Sequence, residues 1–383
     1  MTGPARRVAA ALGAAVLAAG CTGDPTVESR PVTTAPATTT PPASTAAAPA
    51  PSEGFTLIAG GDVLIHPALT TQAEADGGGT RDYAPLLAGI KPAIESADVA
   101  LCHLETPLAD KAGPFRGYPR FSGPPEIATA LATTGFDTCS TASNHTLDQG
   151  PTGVTNTLKA LDAAKITHTG SARSAAEAAK PLIRDVKGTK VGFVSYTFGL
   201  NTGTSRPPGA PWTANLLATT EVIAEAKAAR AAGAEVVVAS IHWGIEGKHE
   251  ATTDQQRTAK ALLTNPAIDL IIGHHAHVVQ PIEKIGEKWV TYGLGNMIAR
   301  HEEPKGDTEE GVLARFHFTK SPTGWTTDRA EYLPILTDLG PPLRLRDLTT
   351  DTTVNQARKT QALTRTDQTI QSRGATSAGL TRP

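Results

Sequence analysis

Five short apolar runs along the chain share one form, each ending on a polar or metal-binding residue type. Phe55–Gly60 runs into Gly61-Asp62, Asp98–Leu104 into Glu105, and Phe136–Thr141 into Asn144-His145. Glu235–Ile241 ends at His242, and Ile268–Ile272 ends at Gly273-His274-His275. Runs of this length and continuity read as buried strands. Between them lie helix-like stretches over 84–95, 125–133, 151–164, 214–232 and 252–263, the fourth closed by Gly233. Strand and helix alternation predicts an α/β fold with a largely parallel sheet covered by helices. Ligands in such sheets collect beyond the carboxyl ends of the strands, so the polar run ends are expected along one edge. Two hairpins are expected as well, 182–186 with 190–196 and 280–285 with 289–292, each turning at a glycine (Gly188, Gly286). The pattern weakens after Thr319. Residues 348–383, rich in Thr, Gln and Arg, read as a solvent-exposed helix or a frayed tail.

The chain's beginning follows another logic. Arg6-Arg7 precedes a short apolar stretch through Leu17, the charged start and core of a secretory signal, too short to span a bilayer as a stable helix. Ala18-Ala19-Gly20-Cys21 resembles a bacterial lipoprotein cleavage box, which implies a signal peptide over 1–21 and lipid attachment at Cys21. The alternative is an ordinary secretory signal with an incidental cysteine. Of the 33 residues from Thr22 to Gly54, 25 are Thr, Pro, Ala or Ser, which cannot build a core and read as a disordered tether over 22–54. The expected arrangement is an extracytoplasmic, lipid-anchored protein with its folded domain at 55–347 and a polar extension at 348–383.

Composition narrows the function. Lys and Arg total 35 against 37 Asp and Glu, a net charge of −2, which argues against binding nucleic acid by phosphate neutralisation. Three cysteines exclude a disulfide-rich scaffold. Of eleven histidines, seven (His66, His103, His145, His242, His274, His275, His277) stand at or just beyond the five run ends. One such histidine is ordinarily a hydrogen-bonded core or surface residue, but the set reads as a metal site. Imidazole with carboxylates (Asp62, Glu105) and an amide oxygen (Asn144) suits Zn, Mn or Fe. An extended His275-Ala276-His277 would point two rings the same way.

Six segments in order carry a family resemblance: Gly61-Asp62-Val63, Leu104-Glu105-Thr106-Pro107, Ser143–Gly150, His242–Glu246, Gly273–Pro281 and Tyr292–Asn296. Together they resemble the CapA family of poly-γ-glutamate capsule synthesis proteins, whose fold is similar to that of calcineurin-like metallophosphoesterases. The resemblance implies a four-layer α/β/β/α sandwich and one or two divalent metal ions held by Asp62, Glu105, Asn144, His242, His275 and His277. Leu64 stands where the superfamily usually has a ligating histidine, with His66 the candidate substitute. Glu105 takes the place of a bridging Asp, and His103 that of an Asn. His145 is implied as the residue that protonates a leaving group. Asp148 either fixes that ring's tautomer, making it a better acid, or caps the helix starting near Pro151. Glu246 is either a partner of a ligating histidine or a solvated loop residue, and Trp243 reads as packing beneath the site. Cys102 and Cys139, near the ends of two strands, read as buried free thiols at least as readily as a disulfide.

Three functions follow. One is an envelope lipoprotein of capsule or polyglutamate synthesis or export, working with membrane-bound synthase subunits on an anionic polymer. Another is a general phosphoesterase. The last is a non-catalytic scaffold for those subunits.

Overall fold

The computed structural model describes residues 54–383; the signal, Cys21 and nearly all of the tether lie outside the described residues. Strands β1 (Gly54–Val63), β2 (Val99–Leu104), β3 (Thr138–Ser140) and β4 (Thr167–Thr169) run parallel in one sheet. A second sheet holds β5 (Leu182–Val186), β6 (Thr189–Thr197), β7 (Val236–His242), β8 (Leu270–His274), β9 (Ile282–Ile285) and β10 (Lys288–Thr291), in the order β5-β6-β7-β8-β10-β9. The chain then returns to the first sheet with β11 (Asn296–Ile298), β12 (Glu310–Ser321), β13 (Gly324–Asp338), β14 (Arg344–Asp347) and β15 (Leu380–Thr381). That sheet reads β14-β13-β12-β1-β2-β3-β4, with β11 beside β1 and β15 beside β13.

Side-chain alternation along each strand builds the layers. Leu57 and Ala59 of β1 and Phe316 and Phe318 of β12 meet Val236 and Val238 of β7 and Leu270 and Ile272 of β8 in a core between the sheets. The intervening Ile58 of β1 faces the other way, toward α1 (Pro67–Asp76), α2 (Ala84–Leu87), α3 (Lys91–Glu95), α4 (Glu126–Thr134) and α5 (Gly150–Ala163). A short α6 (Ala175–Ala178) precedes β5. Val237, Ala239 and Ile241 of β7 face α7 (Thr219–Ala231) and α8 (Thr253–Leu263). The result is an α/β/β/α sandwich, and both expected hairpins are present.

Four features depart from the sequence reading. The helix expected over 84–95 is broken into α2 and α3, because the backbone at Gly89 lies against β14, where a Cβ would sit 2.2 Å from the Leu345 carbonyl oxygen. The β12–β13 hairpin, the longest in the fold, was hidden because only the second half of β13 is buried. The polar C-terminus is a largely exposed helix but a docked one, not a frayed tail: α9 (Gln356–Gln371) buries Ala362, Thr366 and Ile370, spaced four apart, while its Arg358 and Arg365 reach the buried Glu310 carboxylate. Cys102 and Cys139 are joined in a disulfide. They are directly opposed on β2 and β3, with Cα atoms 4.5 Å apart, within the span a disulfide bridges. Among the described residues no helix is long and apolar enough to cross a membrane.

Candidate metal centre

Because β1, β2, β3, β7 and β8 are mutually parallel within their sheets, their carboxyl ends deliver the polar run ends to one edge of the sandwich. Asp62 is brought there by a bulge: Ala59 pairs with Leu101 and Asp62 with His103, so β1 holds one residue more than β2 across that step. Gly61 permits it, since a Cβ there would lie 2.0 Å from the Gly295 carbonyl oxygen. Beyond β8, His275 and His277 both have left-handed backbones, with φ of 94° and 56°. The two rings therefore converge through a strained turn, not through the extended alternation expected from sequence.

Two overlapping ligand groups result. Asp62, His103, Glu105 and His242 form one, and Glu105, His275 and His277 the other; within each group the donor atoms lie within 4.8 Å of one another, and all six residues are buried. Glu105 belongs to both, with Oε1 3.7 Å from His242 Nε2 and 3.8 Å from His277 Nε2. Asp62 accepts from the His275 backbone N–H at 3.2 Å and lies 3.3 Å from His277 Nδ1. His277 Nδ1 is also 3.0 Å from Asn296 Oδ1, an orientation that leaves Nε2 toward Glu105. Asn144 joins through its Oδ1, 2.7 Å from His242 Nε2.

The residues fit a divalent cation. Both Glu105 carboxylate oxygens and His275 Nδ1 are buried without a hydrogen-bond partner, an arrangement that is costly unless another group satisfies them. Burial pushes the Glu105 carboxyl well above its usual range. Burial also pushes His275 down to about 3 and His103 and His242 well below the ordinary imidazole value, leaving them neutral as ligands must be. Asp62 behaves oppositely: burial opposes its charge, but the His274 and His277 rings beside it hold it well below the usual carboxylate range.

Next to this group stands a second, fully hydrogen-bonded one. His145 Nδ1 is 2.6 Å from Asp148 Oδ2, which also accepts from the Phe121 backbone N–H at 2.8 Å. Asp148 thus holds the ring, and α5 is preceded by Gln149 with no side-chain cap. His66 sits apart from both ligand groups: its Nδ1 faces the Leu64 carbonyl oxygen at 3.2 Å, and its ring packs against Phe121 and His301. Leu64 fills a small apolar cluster with Phe121 and Ala299. Glu246 is exposed, and Trp243 is buried with its Nε1 donating to the Tyr292 carbonyl oxygen at 2.8 Å.

Two members belong to the histidine set of the sequence without being singled out as ligands, and a third carries no sequence signal. His103 is a ligand candidate in its own right, with Nδ1 2.8 Å from Ser140 Oγ. His274 stacks on it at 4.0 Å and approaches Asp62 at 3.4 Å; both histidines stand in the run ends already marked. Asn201 carries no such signal. It comes from the loop after β6, donates its backbone N–H to the Asn144 carbonyl oxygen, and accepts from Asn144 Nδ2 at 2.9 Å. Its own amide nitrogen lies 2.9 Å from His145 Nδ1.

Several known proteins are similar to this chain. The capsule biosynthesis protein CapA of Bacillus anthracis is 26% identical over 245 residues, covering 61% of this chain and 58% of that protein. The PGA biosynthesis protein CapA of Bacillus subtilis is 28% identical over 215 residues, 55% and 53% of the two chains. A probable polyglutamine synthesis accessory protein of Mycobacterium tuberculosis is 26% identical over 219 residues, 54% and 57%. The chain therefore spans just over half the length of the curated relatives it matches. Among solved structures it is similar to the calcineurin-like phosphoesterase YfkN of Bacillus subtilis (15% identity, TM-score 0.44, covering 83% of this chain and 98% of that one). A phosphatase of Mycoplasma pneumoniae is similar at 12% identity and TM-score 0.45, covering 74% and 94%. Residues 56–301, which contain every ligand candidate described above, match the model of the bacterial capsule synthesis protein PGA_cap, and the chain belongs to that family.

Proposed function

We propose that the protein acts in capsule or poly-γ-glutamate synthesis or export, anchored outside the cytoplasmic membrane through a lipidated Cys21, with a metal-dependent hydrolase-type site. The observation that carries the hydrolytic part is Glu105, a buried carboxylate shared by two ligand groups with both oxygens unpartnered. The Cys102–Cys139 disulfide supports an oxidising compartment. Relatives named as synthesis proteins, and one as an accessory protein, support association with membrane-bound synthase subunits.

Asp62, His103, Glu105 and His242 would hold one divalent ion, and Glu105, His275 and His277 a second; Zn, Mn and Fe all suit this donor set. Bound there, such ions polarise a phosphoryl or carbonyl oxygen and lower the pKa of water. His145, with Nδ1 committed to Asp148, keeps Nε2 for exchanging a proton with a departing group. Asn144, held by Asn201, orients the amide that meets His242. Phe121 closes one side of the His145 ring at 4.8 Å and limits its contact with water.

A general envelope phosphoesterase is the second reading, supported by the His145–Asp148 pair, which can protonate the departing alkoxide oxygen of a phosphoester as well as the departing amine of an amide. Assaying the metal-bearing protein against phosphoesters and γ-glutamyl oligomers separates the two. Turnover of the oligomers supports the first reading, and turnover of phosphoesters alone supports the second. Bound metal with neither activity would remove the hydrolytic claim and leave a scaffold.

A further inference from the structure

Three large apolar side chains are exposed among the described residues, and two of them, Phe198 (50%) and Ile245 (53%), line one cavity of about 310 Å³. Single exposed apolar residues are unremarkable, but here two loops, leaving neighbouring strands β6 and β7, present them across one opening. Phe198 is also a wall of the metal centre, its ring 4.6 Å from that of His275 and 6.3 Å from that of His242. Leu217 and Trp243 also line the cavity, and the Trp243 Nε1–H is committed to the Tyr292 carbonyl oxygen. At the α8 side stands Arg257, paired with Asp254 at 2.9 Å. Their side chains are 73% and 80% exposed, so the pair is screened and a competing carboxylate can displace Asp254 at small cost.

The geometry points to a substrate subsite beside the metal centre for a γ-linked glutamyl chain, whose side-chain methylenes pack on Phe198 and Ile245 while a free α-carboxylate pairs with Arg257. This rests on the capsule-polymer reading above and deepens it. A fully apolar ligand would make no use of Arg257, and inorganic phosphate would make none of Ile245. A chain that alternates carboxylates with short hydrocarbon segments uses both.

Calorimetry on the metal-bearing full chain tests this, with a defined γ-linked glutamyl oligomer as probe and inorganic phosphate as control. Ile245→Ala is expected to weaken oligomer binding roughly three- to tenfold, and Arg257→Gln roughly tenfold with a flatter salt dependence, both leaving phosphate binding unchanged. Phe198→Ala, checked for unchanged metal content, should weaken it by at least about tenfold. If the wild type binds the oligomer and all three variants match it, the subsite is wrong and the proposed function stands. If the wild type binds phosphate but not the oligomer, the subsite and the polymer reading fall together.

Discussion

Glu105 and Asp148 are both carboxylates with fully buried side chains at the same edge of the sandwich, yet their surroundings are opposite. Asp148 is saturated by the His145 ring, the Phe121 N–H and the approach of the Asn201 amide. Glu105 has no hydrogen bond to either oxygen, and its Oε1 stands 3.7 and 3.8 Å from the Nε2 atoms of His242 and His277. A buried carboxylate with donors around it positions a ring, whereas one with both oxygens unpartnered among clustered ligand-type side chains awaits a cation. Catalysis of the proposed kind needs both.

The largest expected effect comes from breaking the second kind. Glu105→Gln should lower the metal content and cut turnover by at least about a hundredfold. In chelator the same variant should be no less stable than the wild type, since a neutral amide replaces an uncompensated acid; thermal melts read this directly. Asp148→Asn should lower turnover roughly 10²- to 10⁴-fold while leaving the metal content intact, because it disturbs the His145 tautomer alone. Ile370→Ala, in α9 and remote from both carboxylates, should cost about 2–4 kcal/mol in denaturant unfolding and leave metal stoichiometry unchanged. Asn201→Ala, which removes side-chain contacts to Asn144 and His145, should slow turnover about tenfold. If it also stripped metal, the line drawn between the two groups would be wrong.

Much of this contrast was legible in the sequence. The buried strands announce themselves as continuous apolar runs, and each ligand stands directly at a run's end, so Asp62, Glu105, His242, His275 and His277 could be read together. Asp148 reads equally as a helix cap and as a ring partner, because three-residue spacing in a turn serves either use. The family resemblance makes His66 the candidate substitute for a histidine at Leu64, but its backbone enters α1, where Pro67 occupies the first turn, and the ring is carried toward Phe121 and His301. Asn201 was invisible because a loop amide has no periodicity. The disulfide is not legible in the sequence because strand register, which sets Cys102 opposite Cys139, cannot be read from either strand separately. The polar tail misled through composition: α9 buries a stripe of small and polar residues, Ala362 and Thr366 with Ile370, which average hydropathy conceals.

The most direct test is elemental analysis of wild type, Glu105→Gln and Asp148→Asn purified side by side without chelator. One or two Zn, Mn or Fe ions per chain are expected in the wild type and in Asp148→Asn, with a clear loss in Glu105→Gln. A wild type without metal, or a Glu105→Gln variant holding the full complement, would contradict the assignment of Glu105 as the shared ligand.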